Sequence, residues 1–267
     1  MSRHQAFWEL HQAGCFVVPN PWDTGSARMM AGLGARALAT SSAAHAFTLG
    51  RADGAVSRDE ALAHAGAMVA ATPLPVTGDL ENGFADDPEG VADTVRLAGD
   101  VGLSGGSIED ISGGVAYGFD LAVDRVRAAV AASRRIGRPF VLCARADGVM
   151  HGADDLTEGI RRLQAFQAAG ADLLYLPMPP DRAGLARVMA SVTAPVNALA
   201  AGALRGLTVA EMAGMGVRRI STGSQIARLT HAAILNSVGA MLGEGSFAPL
   251  LAAAPGAAVD RLLDLGA

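Results

Sequence analysis

The chain contains no lysine; all 21 of its basic side chains are arginine. That absence removes reactions that need a side-chain amine, Schiff-base aldol chemistry among them, and it removes the lysine of a phosphate-binding P-loop. Cysteine is almost as scarce. Cys15 and Cys143 both lie in apolar, strand-like runs, so buried free thiols in a reducing cytoplasm are expected rather than a disulfide framework. Aromatic residues make up 4% of the chain and the net charge is −5. With no basic stripe and no interleaved aromatics, nucleic acid is excluded as a partner. No run approaches the roughly 18 uncharged apolar residues of a membrane span. The first residues, MSRHQAFWELHQAG, are polar and amphipathic and lack the apolar segment of a signal peptide. The expectation is a soluble cytoplasmic protein acting on small molecules.

What the sequence does have is apolar residues, 51% of 267, arranged in alternation. Short apolar or β-branched runs at 15–19, 35–40, 74–78, 105–108, 139–144, 172–176, 195–199 and 217–222 predict eight strands. Helix-periodic segments at 24–33, 58–71, 88–101, 120–136, 156–169, 182–191 and 209–215 separate them. Caps such as Asp154 and Thr208 open helices, and glycines such as Gly34, Gly102, Gly170 and Gly216 close them. Eight βα units without a linker or a change of composition predict one (β/α)8 TIM-type barrel over residues 1–267, with an open doubly wound sheet as the runner-up. Beyond the eighth strand, helices at 225–242 and 257–265 carry more apolar surface than a barrel flank needs. Residues 225–267 are therefore expected to lie in a homo-oligomer interface.

The chemistry gathers at strand ends. One strand runs into Asp79-Leu80-Glu81-Asn82-Gly83, the next into Glu109-Asp110, and the next into Arg145-Ala146-Asp147. In a parallel α/β architecture those ends face the ligand site. Acids converging on one point repel unless a cation neutralises them, which suits an oxygen-preferring ion such as Mg²⁺ (or Mn²⁺), while Arg145 suits an anionic substrate. Bland alternatives stand beside each motif: Asn82-Gly83 is a turn signal, Glu109-Asp110 reads as a solvated loop, and Arg145 with Asp147 reads as a structural ion pair. Thr40-Ser41-Ser42-Ala43-Ala44 ends the second strand and offers hydroxyls and backbone N–H groups to a carboxylate, or simply a serine-rich turn. Asp53 lies on a glycine-bounded loop above it. Asn197, polar within an apolar strand, must find a partner. His45 and His151 sit near strand ends without further support.

The ordered set Pro19-Asn20-Pro21-Trp22-Asp23-Thr24-Gly25-Ser26, Thr40-Ser41-Ser42-Ala43, Gly50-x-x-Asp53-Gly54, Gly78-Asp79-x-Glu81-x-Gly83, Ile108-Glu109-Asp110, Ala144-Arg145-x-Asp147 and Arg219-Ile220-Ser221-Thr222-Gly223-Ser224 resembles the isocitrate lyase/phosphoenolpyruvate mutase superfamily. The resemblance spans roughly residues 5–240. It implies a (β/α)8 barrel whose last helix is swapped between subunits of a homodimer or homotetramer. It also implies Mg²⁺ and a 2-oxo acid or related carboxylate, and chemistry through an enolate. Carried over by position, Asp79 is the principal metal ligand, with Asp53, Glu81 and Glu109 in the shell, partly through water. Arg145 and Glu109 fall in the catalytic set, Arg145 as the clamp for enolate or carboxylate. Ser41, Ser42 and Ala43 form the substrate cradle, to which Asp79, Arg145 and Asn197 are added as substrate-binding candidates. Glu81 stands where many members carry Asp, one methylene shorter.

The main departure follows Glu109-Asp110. The isocitrate and methylisocitrate lyases carry a Lys-Lys/Arg-Cys-Gly-His loop there, and this chain has Ile111-Ser112-Gly113-Gly114-Val115-Ala116-Tyr117-Gly118. Cleavage of isocitrate is not expected, and Tyr117 becomes the one obvious proton donor of the shortened loop. The expected activity is a Mg²⁺-dependent carbon–carbon lyase or decarboxylase acting on a small 2-oxo acid, dicarboxylate or substituted malate. The alternatives are a C–P bond enzyme of the phosphonopyruvate type, or a catalytically weak metal-dependent 2-oxo acid binder.

Overall fold

The structure is a computed structural model describing residues 1–267. Its strands are β1 (Phe16–Val18), β2 (Leu38–Ala39), β3 (Val76–Asp79), β4 (Gly105–Glu109), β5 (Ile111–Ser112), β6 (Val115–Ala116), β7 (Val141–Arg145), β8 (Leu173–Tyr175), β9 (Val196–Leu199) and β10 (Arg219–Ser221). The helices are α1 (Arg3–Leu10), α2 (Thr24–Gly32), α3 (Ser42–Thr48), α4 (Arg58–Ala71), α5 (Pro88–Asp100), α6 (Phe119–Arg134), α7 (Gly148–His151), α8 (Leu156–Ala168), α9 (Arg182–Ser191), α10 (Val209–Gly214), α11 (Gln225–Glu244) and α12 (Gly256–Leu265).

All eight expected strands form, and every pairing among them is parallel, in the order β1-β10-β9-β8-β7-β4-β3-β2. Chain order maintained around the sheet is barrel order, not that of an open doubly wound sheet. The seam between β1 and β2 is closed by the Ala39 amide, which donates to the Pro19 carbonyl at 3.1 Å. Asn20 reinforces it. Its amide nitrogen donates to the Thr40 carbonyl at 2.9 Å, and its oxygen accepts from the Thr222 and Gly223 amides, each at 2.9 Å. One side chain thus ties the ends of β1, β2 and β10.

The helices start where local chemistry directs. Ser57 with Glu60 and Thr208 with Glu211 form reciprocal capping boxes. The cap of α8 is Asp155 rather than the expected Asp154, because Asp154 is drawn into an ion pair with Arg162 at 3.0 Å. Glycines let the third and fourth strands approach their neighbours. A Cβ on Gly106 would lie 2.7 Å from Leu80 Cδ1, and one on Gly78 2.7 Å from Leu103 Cδ1. The core around these positions, including Leu38, Met68, Val95 and Leu142, is fully packed.

The antiparallel pair β5–β6 makes a hairpin in place of the loop expected after Glu109. Two-residue strands around Gly113-Gly114 leave too short a pattern to read from sequence. At the other end of the chain, α12 returns to pack on α2, with the Leu262 backbone against Gly32 and Gly266 against the Arg28 backbone. Helix α11 buries only Ala227, while Leu229, Ile234, Leu235 and Leu242 stand exposed. No helix is long and apolar enough to cross a membrane.

Candidate active site

Parallel register brings the predicted strand ends together. Glu109 pairs in register with Arg145, and Arg145 with Tyr175. Asp79 ends the adjacent strand, in register with Ser107. These ends open into a cavity of about 690 Å³ at the C-terminal face of the barrel. Ser41, Ser42, Ala43, Asp53, Asp79, Glu81, Glu109 and Arg145 all line it, so the structure brings together eight of the ten sequence-selected residues.

Arg145 organises the acids. Its Nη1 pairs with Asp79 Oδ1 at 3.1 Å and with Glu109 Oε1 at 2.9 Å. Its Nε and Nη2 grip Asp147 in a two-pronged contact of 3.0 and 2.6 Å. All three guanidinium nitrogens are thereby engaged, and the guanidinium carbon lies 5.0 Å from the centroid of the Tyr175 ring. Asp147 is fully buried, and its amide donates to Asp110 Oδ1 at 2.8 Å. Asp110 in turn pairs with buried Arg162 at 3.1 Å. The structural ion pair between Arg145 and Asp147 therefore exists, and the same arginine also reaches the cavity acids. Asp147 and Asp110, which stand in the strand-end motifs, and Arg162, which nothing in the sequence marks, extend the site beyond the residues selected as catalytic, binding or metal candidates.

Asp79 is held from both sides. Its Oδ2 accepts from the Ser42 amide and the Ser42 hydroxyl, each at 3.0 Å, and its own amide donates to Thr40 Oγ1 at 2.8 Å. Ser41 is buried, and its hydroxyl accepts from the Ala44 amide at 3.3 Å as the cap of α3. The cradle is thus partly spent on Asp79 and on the helix, and the rest faces the cavity.

Mutual repulsion marks the electrostatics. Burial, then the Asp79 and Asp53 carboxylates, pushes Glu81 up to about 7. Burial raises Glu109 well above the usual carboxylate range, against the opposing pull of Arg145. Asp53 is raised by burial and by Asp79. One guanidinium faces the carboxyl groups of Asp53, Asp79, Glu81, Glu109 and Asp147, so acids outnumber the cation at this site. Hard carboxylate oxygens in excess are the donor chemistry of Mg²⁺ or Mn²⁺. No three Asp, Glu, His or Cys side chains converge as direct ligands.

Two sequence-selected residues lie elsewhere. Tyr117 does not line the cavity. Its hydroxyl donates to Asp86 Oδ1 at 2.6 Å and accepts from Asn82 Nδ2 at 2.8 Å, and burial followed by the Asp86 bond raises it further above its ordinary range. A phenol engaged in this way is not aimed at a substrate, which corrects the proton-donor expectation. Asn197 is buried beneath the cavity, its oxygen accepting from Arg219 Nε at 2.7 Å and its nitrogen donating to Ser221 Oγ at 2.9 Å. Its partners are barrel-interior side chains rather than substrate. His151 lines the cavity. His45 instead stacks on His64, with ring centroids 3.8 Å apart.

Known proteins resemble this chain in sequence and fold. The family model of phosphoenolpyruvate phosphomutase matches residues 7–242. A solved structure from Burkholderia cenocepacia J2315, assigned only as a lyase/mutase, superposes with a TM-score of 0.93 at 44% identity, covering 97% of this chain and 94% of that one. The oxaloacetate decarboxylase of Paraburkholderia xenovorans (strain LB400) is 32% identical over 228 residues, which is 80% of this chain and 73% of its own. The structure of 2,3-dimethylmalate lyase, described as a member of the PEP mutase/isocitrate lyase superfamily, superposes with a TM-score of 0.85 at 26% identity, covering 98% and 95% of the two chains.

Proposed function

The chain belongs to the isocitrate lyase/phosphoenolpyruvate mutase superfamily, and from that premise we propose that it is a Mg²⁺-dependent lyase or decarboxylase. It would break a carbon–carbon bond in a small 2-oxo acid or substituted malate through an enolate. The observation that carries this reading is Arg145, whose guanidinium is fixed by Asp147 while its Nη1 lies between Asp79 and Glu109 at the cavity wall.

A metal ion, held chiefly by Asp79 with Asp53, Glu81 and Glu109 in its shell, partly through water, would supply Lewis-acid polarisation of the substrate's oxygens. The chain's own groups do the rest. The groups of Ser41-Ser42-Ala43 that are not spent on Asp79 or on the α3 cap would orient the substrate carboxylate. The Arg145 guanidinium at the cavity wall would stabilise the developing enolate charge, an electrostatic role for a preorganised donor. Bond breaking by charge withdrawal needs no strong protein base, and Tyr117 does not reach the cavity to act as one. This favours decarboxylation of an oxaloacetate-like acid, with retro-aldol cleavage of a substituted malate next. Two relatives act on acids of this kind by name, oxaloacetate decarboxylase and 2,3-dimethylmalate lyase. A phosphonate dianion fits less well, because Arg145, already shared among three acids, is the only arginine at the cavity of a chain without lysine.

The exposed apolar face of α11 supports a homodimer or homotetramer in which a second copy covers it. The activity is tested by proton and phosphorus NMR on a panel of 2-oxo acids, substituted malates and phosphonopyruvate. Loss of an oxo acid or malate with release of CO₂ or a carbonyl product supports the reading. Turnover of phosphonopyruvate alone would replace it with C–P chemistry, and binding without turnover would leave a 2-oxo acid binder.

A further inference from the structure

Arg125, on α6, is 1% exposed, the largest fully buried side chain of the protein, and it pairs with no carboxylate. Its Nη1 donates to the carbonyls of Ala85 at 2.5 Å and Asp86 at 2.6 Å, and its Nη2 donates to the carbonyl of Asn82. Its guanidinium carbon lies 4.0 Å from the centroid of the Tyr117 ring. Burial pulls its pKa down from the ordinary arginine value, the cost of keeping a cation there with no carboxylate in direct contact.

The segment it grips joins β3 to α5 and carries Glu81 into the cavity. Glu81 and Phe84 both adopt left-handed backbone, with φ of 47° and 55°. Non-glycine residues hold that conformation only where their surroundings over-determine it. The Glu109 amide donates to the Glu81 carbonyl at 2.8 Å, and Thr94 Oγ1 donates to the Gly83 carbonyl at 2.7 Å. Of the other carbonyls in this segment, those at 82, 85 and 86 belong to Arg125. Above it, Tyr117 bonds Asp86 and Asn82 and so fastens the end of the β5–β6 hairpin, which contributes Ile111, Ser112, Gly113 and Gly114 to the cavity wall.

We propose that Arg125 is a positioning residue for the reaction, setting Glu81 and the hairpin wall by clamping residues 82–86 beneath Tyr117. This rests on the reading of the cavity as the reaction site. Arg125 does not line the cavity and acts through other residues. The guanidinium fork reaches three carbonyls and stacks on a ring at once, which a lysine ammonium does not do.

The test is a double-mutant cycle of Arg125→Lys with Glu81→Gln, read in Mn²⁺ affinity by electron paramagnetic resonance and in kcat/KM. Residues supporting a metal shell change metal affinity by about 10–100-fold. Arg125→Lys is expected to weaken Mn²⁺ binding and kcat/KM by about tenfold in the wild-type background, and by less than about threefold where Glu81 is already replaced. Amide exchange should quicken at 81–87 and stay unchanged at 42–48. Equal losses in both backgrounds, or Mn²⁺ affinity within twofold of wild type, would overturn the proposal. If Arg125→Lys does not fold, Tyr117→Leu, which removes the stacking ring and its two bonds, is read in the same cycle with the same criteria. Absence of turnover by the wild type would overturn the proposed reaction, while the Mn²⁺ cycle still decides the role of Arg125.

Discussion

Replacing Asp147 with Asn keeps the shape of the side chain and removes the charge that orients Arg145. Asp147 is fully buried and meets Arg145 at 2.6 and 3.0 Å. In the variant the amide oxygen still accepts one bond, but the amide nitrogen faces a second donor and the other bond is lost. A hydrogen bond to a charged group contributes about 1.5–3 kcal/mol, so losing one and weakening its neighbour costs about 2–4 kcal/mol. Removing a whole partner from a buried pair would cost about 3–5 kcal/mol. Asp79 and Glu109 still neutralise the arginine, which keeps the estimate below that limit. At about 2–4 °C per kcal/mol for a chain of this size, the melting midpoint should fall by roughly 5–15 °C. Arg145 should also lose its fixed orientation, and loss of one preorganised donor costs about 10²–10³ in kcat. The assays are thermal unfolding followed by circular dichroism, and steady-state kinetics on the substrate identified by NMR. A variant melting within 2 °C of wild type, with kcat within about threefold, would refute the assignment of Asp147 as the group that orients Arg145.

Tyr117→Phe keeps the ring over Arg125 and deletes the bonds to Asp86 and Asn82. It should cost about 1–2 kcal/mol in urea unfolding while leaving kcat within about threefold, whereas a proton donor would lose about 10²–10⁴. His64 is pulled down to about 4, chiefly by burial and then by His45. Its unfolded form binds a proton near 6.5 while the folded form stays neutral, so its contribution is present above 6.5 and is lost as pH falls through 4, by about 3 kcal/mol in all. Urea midpoints between pH 7.5 and 4.5 should therefore fall more steeply for wild type than for His64→Phe, and equal slopes would contradict the assignment. Leu235→Glu, on the exposed face of α11, should shift the light-scattering mass toward the monomer, and an unchanged oligomer would remove that face from the interface.

The barrel is legible in the sequence because each strand is an apolar run bounded by glycine or a helix cap, and eight such runs recur without interruption. The site is legible in part for the same reason. Asp79, Glu109 and Arg145 end strands, and parallel register carries strand ends to one rim. What is hidden depends on contacts distant in sequence. Tyr117 reads as the free proton donor of a loop, because nothing local shows that Asp86, 31 positions away, accepts its hydrogen bond. Arg125 sits in a helix-periodic segment among Asp124 and Arg127, where one more charge looks solvated, yet its fork faces carbonyls 39–43 positions away. Asn197 was rightly expected to need a partner, but those partners, Arg219 and Ser221, lie beneath the cavity.

The central claim is that the carboxylate-lined mouth works through a divalent cation held chiefly by Asp79. The most direct measurement is NMR-monitored turnover of oxaloacetate with Mg²⁺ and with EDTA, for wild type and Asp79→Ala, corrected for the metal's own background decarboxylation. Enzyme-dependent loss of substrate with Mg²⁺, abolished by EDTA and by Asp79→Ala, is the expected result. Turnover that survives both would contradict it.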